Sequence, residues 1–154
     1  MQIFADAYTP VVDSSAIPTG EIASVEGTPM DFRTEKQIGQ DIRADFEQLH
    51  FTGGYDHNYV LGRPGEKKIM ANAYCRESGI ALEAATDCCG VQFYAGNFIG
   101  EQTGKGGAAY HDRSAFCLES QFYPNAVNEP DFPSPVVKAG DTYHTETSYR
   151  FYLR

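Results

Sequence analysis

The chain has 154 residues, enough for one domain with a real core and too few for two comfortable ones. Lys and Arg number 12 against 21 Asp and Glu, a formal net charge of −9, so the surface repels phosphate backbones and nucleic acid is excluded as an expected partner. At 42% hydrophobic and 21% charged residues, the composition is that of a folded globular chain. No apolar run approaches the ~20 residues of a membrane helix. The opening MQIFADAYTP carries neither the basic flank nor the apolar stretch of a signal peptide. The expectation is a single domain over residues 1–154, cytoplasmic and free of membrane.

Turn residues recur at short intervals from Pro18-Thr19-Gly20 to Gly140-Asp141, and the segments between them are rich in Tyr, Phe, Val, Ile and Thr. Such punctuation predicts an all-β sandwich or barrel. One segment differs: from Glu35 to Leu49, the apolar residues Ile38, Ile42, Phe46 and Leu49 fall at helical spacing. Thr34 is placed to cap a helix over 35–49, although Gly39 weakens it. The clearest strands follow at Ile80 to Thr86, Val91 to Asn97, Ser114 to Phe122 and Thr145 to Leu153. Gly104 to Gly107 lacks the spacing of a phosphate loop and is read as a hairpin tip. Cys75, Cys88, Cys89 and Cys117 show no zinc-ligand spacing and are read as reduced, mostly buried side chains.

Three places have residues suited to chemistry. In the strand around Glu119, alternation puts Ala115, Cys117, Glu119 and Gln121 on one face. Glu119 either faces solvent or lines a cleft as a general base, its pKa raised by partial burial. Gly53-Gly54-Tyr55-Asp56-His57-Asn58-Tyr59 sets a carboxylate between two tyrosines, a pattern that suits turn formation and equally the hydroxyls and apolar face of a sugar. Gln92, in Gly90-Val91-Gln92-Phe93-Tyr94, can donate and accept together, as neighbouring sugar hydroxyls require. No metal set, cofactor motif or nucleophile triad accompanies them.

At these residues the sequence resembles the aldose 1-epimerase (galactose mutarotase) family. The matching strings are YTPVVDSSAIPTGEIASVEGTPMDFR, GGYDHNYVL, SGIALEAATDCCGVQFYAGNF, GKGGAAYHDRSAFCLESQFYPNAVNEPDFPS and AGDTYHTETSYRF, in the family's order. The resemblance implies an antiparallel β-supersandwich, here its C-terminal part, and a cofactor-free isomerase that interconverts α and β anomers of hexoses such as galactose and glucose. It implies Glu119 as catalytic base and Asp56 and Gln92 as sugar contacts. The family's general-acid His belongs to an N-terminal half. None of His50, His57, His111 and His144 stands in that context, and His57 is read as structural support. The expected partners are therefore a hexose and either an N-terminal polypeptide or a second copy meeting exposed sheet edges. A non-catalytic carbohydrate-binding module or inactive fragment is the alternative.

Overall fold

Residues 1–154 are described throughout by a computed structural model. The elements in chain order are β1 (Gln2–Ile3), β2 (Ala7–Thr9), β3 (Ala23–Ser24), α1 (Glu47–Thr52), β4 (Asp56–Val60), β5 (Lys68–Tyr74), β6 (Ile80–Thr86), β7 (Gly90–Tyr94), β8 (Gln102–Thr103), β9 (Ala109–Tyr110), β10 (Cys117–Gln121) and β11 (Thr147–Leu153). They form a sheet ordered β1-β5-β6-β11, a second ordered β10-β7-β4-β2-β3, and the small hairpin β8-β9. Every strand pair is antiparallel. The all-β expectation holds, and β6 has the predicted bounds. The strands at 91–97, 114–122 and 145–153 are shorter than expected, with Gly96 leaving the extended region at φ 69° just beyond β7.

The two larger sheets face each other across one apolar core. Ile3, Met70, Ala71 and Ala84 come from the first sheet, and Tyr8, Tyr59, Val91, Phe93 and Leu118 from the second. Phe93 sits at the centre, stacked on Tyr55 with ring centroids 5.4 Å apart and meeting Phe32 edge-on at 5.5 Å. Aromatic pairs at these distances add to the gain from burial alone.

The helix predicted over 35–49 is not formed; α1 spans only Glu47–Thr52. The apolar residues do turn inward: Ile42 and Leu49 are buried, and Ile38 and Phe46 pack against the core. The backbone is committed elsewhere. Lys36 exchanges hydrogen bonds with Met1, its N–H donating to the Met1 carbonyl at 3.0 Å and its carbonyl accepting from the Met1 amino group at 2.9 Å. The chain then runs through separate turns, closed by Gln40 N–H to Gln37 O and Ala44 N–H to Asp41 O. Helical spacing of apolar residues reports which side of a segment is buried, and turns can satisfy that as well as a helix. Thr34 is exposed and caps nothing.

The 104–107 segment is a hairpin tip between β8 and β9, as expected. Cys88 and Cys89 are buried, while Cys75 and Cys117 are exposed, against the expectation that most thiols are buried.

Because Phe93 is fully buried at the centre of the aromatic cluster, Phe93→Ala is expected to destabilise the fold by about 3–5 kcal/mol. Urea denaturation measures this; a loss below about 1 kcal/mol contradicts the central placement of Phe93.

Candidate functional site

The site is built on β4, β7 and β10, paired in register: Asn58 opposite Gln92 opposite Glu119, and Asp56 opposite Tyr94 opposite Cys117. Side chains alternate between faces along a strand, and directly paired residues share a face. Asp56, Asn58, Gln92, Tyr94, Cys117, Glu119 and Gln121 therefore project from one side of the sheet. His57, Tyr59, Val91, Phe93 and Leu118 project from the other, into the core.

The chain enters β4 through the paired glycines. Gly53 terminates α1 in the left-handed region at φ 66°. At Gly54, with φ 140°, a Cβ would lie 2.4 Å from Asn97 Oδ1, so a side chain is excluded by both conformation and space. The Asn97 amide holds the turn by donating to Thr52 O at 3.0 Å and Tyr55 O at 3.1 Å.

The three expected site residues lie together on this face, and hydrogen bonds link two of them. Gln92 Nε2 donates to Asp56 Oδ1 at 2.8 Å. Burial raises the pKa of the Asp56 carboxyl above the usual carboxylate value, and the Gln92 hydrogen bond opposes that rise. Glu119 faces the same side from β10, directly across the ladder from Gln92. Its side chain is exposed rather than partly buried in a cleft, and β10 is an edge strand paired only with β7. Beside it, Tyr149 of β11 donates its hydroxyl to Leu118 O at 2.7 Å.

Other expectations about the site need correction. Tyr55 and Tyr59, expected to flank Asp56 as an apolar platform, are fully buried, and their hydroxyls donate to Pro29 O and Met30 O at 3.0 Å. Alternation places residues 55, 57 and 59 together on the core side. The aromatic ring on the Asp56 side is Tyr94, whose hydroxyl accepts from Phe98 N–H at 2.9 Å. Sequence reasoning left Asn58 and Gln121 without a role, although both belong to the polar network. Gln121 Nε2 donates to Gln92 Oε1 at 3.0 Å and to Asn58 Oδ1 at 3.2 Å. The signal was available in the same alternation that grouped Gln121 with Glu119.

His57 packs edge-on against Tyr8 at 5.9 Å. Its Nδ1 accepts the Asp56 backbone N–H at 3.3 Å, and its buried Nε2 has no partner. Burial pushes its pKa down to about 4, so it stays neutral inside the fold, supporting β4 from the side opposite Asp56.

The sequence model of the family Aldose 1-epimerase matches residues 1–150 of this chain. The chain belongs to the aldose 1-epimerase family. Curated relatives include a galactose mutarotase from Sus scrofa, 45% identical over 150 residues, which cover 97% of this chain and 42% of the pig protein. An aldose 1-epimerase from Escherichia coli is 37% identical over 154 residues, covering 98% of this chain and 44% of the bacterial protein. The crystal structure of an aldose epimerase homologue from C. elegans superposes with a TM-score of 0.79 at 28% identity, across 99% of this chain and 45% of that one. This epimerase-family chain thus spans less than half the length of the curated relatives it matches, and its supersandwich-type fold is shared with a solved member.

The His57 environment carries a pH signature. Its folded pKa of about 4 lies below the unfolded value of ~6.5, so the unfolded chain binds the proton first. Stability is full above about pH 6.5 and is lost as pH falls toward about 4, by about 3 kcal/mol in total. Urea midpoints measured across this range are expected to fall in the wild type and to flatten in His57→Gln. Equal slopes in the two proteins contradict the buried neutral imidazole.

Proposed function

We propose that this chain supplies the base and the hydroxyl-recognising face of an aldose 1-epimerase acting on hexoses such as galactose and glucose. The observation that carries the reading is the register itself. An exposed Glu119 stands across the ladder from Gln92, whose amide is bonded to Asp56, so a carboxylate base and a donor–acceptor pair share one open face.

Mutarotation opens a cyclic hemiacetal and closes it on the other face of the carbonyl. Glu119 takes the proton from the C1 hydroxyl while an acid delivers one to the ring oxygen, and the ring C1–O bond breaks to leave an open aldehyde. Rotation about C1–C2 presents the other carbonyl face. The ring hydroxyl then re-adds, returning its proton to the acid as Glu119 protonates the new C1 oxygen. No net proton or electron is consumed. Gln92 and Asp56 hold sugar hydroxyls through their free donor and acceptor positions, and Tyr94 offers a partly exposed ring beside them.

The acid is assigned to a polypeptide segment outside these residues. His57 faces the core, and His50, His111 and His144 lie off β4, β7 and β10. Both β10 and β11 end their sheets with unpaired outer edges, and β11 exposes Phe151 at 67% and Leu153 at 81%. Such an edge can accept a further strand, and the matched relatives are more than twice as long as this chain. A non-catalytic sugar-binding role is the second reading, favoured by the same open, histidine-free face.

Polarimetry of freshly dissolved α-D-galactose separates the two. The expected result is a small rate above background, with Glu119 as base and water protonating the ring oxygen in place of the absent acid, that falls to background in Glu119→Gln with galactose binding largely retained. A rate that survives the substitution removes Glu119 as base, and binding without any rate leaves the sugar-binding reading. Asp56→Ala is expected to weaken galactose binding about tenfold or more in calorimetry; unchanged affinity removes Asp56 from the site.

A further inference from the structure

The amides beside Asp56 form a file across three strands, with donors pointing one way. Gln121 Nε2 donates to both Asn58 Oδ1 and Gln92 Oε1, and Gln92 Nε2 donates to Asp56 Oδ1. We propose that Gln121 is a positioning residue. Its amide, held between the carbonyl oxygens of Asn58 and Gln92, fixes the orientation in which Gln92 turns its NH2 to Asp56. Asp56 Oδ2 is then left to accept from a ligand hydroxyl.

A carboxamide turned by half a rotation keeps its shape and exchanges donor for acceptor. With Asp56 ionised, its carboxylate already selects the Gln92 NH2, but once Asp56 is protonated Gln92 alone could adopt either orientation. Gln121 removes that freedom, because rotating it would set its oxygen against two other oxygens. The absence of a side chain at Gly90 leaves room for Asn58 Oδ1, since a Cβ there would lie 2.3 Å from it and 3.0 Å from the Tyr123 ring.

Asn58 is 2% exposed, yet its Nδ2 has no partner. The bond from Gln121 to Oδ1 is therefore the side-chain hydrogen bond that holds the Asn58 amide. The titratable groups facing Asp56 on this side are Tyr94 of β7 and Cys117 and Glu119 of β10; the neighbouring β2 presents Thr9, which does not titrate.

The relay stands on the hydrogen bonds alone, while its consequence for a sugar rests on the function proposed above. The test is a carbon-13 NMR titration of the Asp56 carboxyl without sugar, in wild type, Gln121→Met, Gln92→Met and the double variant. The Gln92 bond lowers the Asp56 pKa, so Gln121→Met is expected to move the titration midpoint to higher pH. It should add nothing once Gln92 is Met. An unchanged midpoint in Gln121→Met, or the same displacement without Gln92, overturns the proposal.

Gln121→Glu keeps the side-chain shape and replaces the donors with acceptors, which covers the case in which the methionine variant does not fold. Part of its displacement is the new charge and survives in Gln92→Met; the part that vanishes there is the relay, and no vanishing part overturns it. In calorimetry with galactose, Gln121→Met is expected to weaken binding roughly threefold to tenfold, the size of one neutral hydrogen bond, and to have no effect in Gln92→Met. If Asp56 responds as expected but the wild type binds no galactose, the relay is upheld and the sugar reading falls.

Discussion

The register of β4, β7 and β10 decides which side chains can meet. With Asn58 opposite Gln92 opposite Glu119, the pleat sends a polar set to one side and His57, Tyr59, Val91, Phe93 and Leu118 to the other. A slip by one residue in any of the three strands would exchange the sets. It would bring the Gln92 amide into the aromatic cluster or expose Phe93. The core therefore guards the site: the burial of Phe93 and Leu118 keeps Glu119 and Gln92 across from each other.

The position of β10 at the sheet edge governs the rest. Gln92, on a central strand, is flanked on both sides and bonded to Asp56 and Gln121. Glu119, one strand further out, projects into solvent. A base on such an edge is accessible, and further polypeptide can pack beside it. The neighbouring edge strand β11 leaves Tyr149, Phe151 and Leu153 exposed, the kind of apolar edge that a further strand or partner covers. The cavities under the C-terminal loop and along residues 28–43 lie apart from this face. One of about 550 Å³ sits under the C-terminal loop, lined by Asp87, Cys88, Phe122, Tyr143 and Thr145 among others.

Much of this architecture was readable in the residues. The β6 strand lies between turn signals and has the bounds predicted for it. Alternation around Glu119 and Gln92 gave the facing of each. The same rule, carried through Tyr55 to Val60, would have placed both tyrosines in the core, and reading them as a platform neglected it. The 35–49 segment failed for a different reason. Its apolar spacing was real, but Lys36 is paired with Met1, a long-range contact that no local window contains. Alternation grouped Gln121 with Glu119 and left Glu119 either in solvent or in a cleft; which of these holds, and the Asn58–Gln121–Gln92 contacts, depend on which strands are neighbours.

The central claim is that one face of this sheet receives an aldose. Nitrogen-15 NMR of the labelled chain during titration with galactose tests it without requiring turnover. Shifts are expected only in the β4, β7 and β10 signals around Asp56, Asn58, Gln92 and residues 117–121, including the side-chain amides of Gln92 and Gln121. Shifts clustered instead around Asp87, Phe122 and Tyr143, or none on this face at saturating sugar, would contradict it.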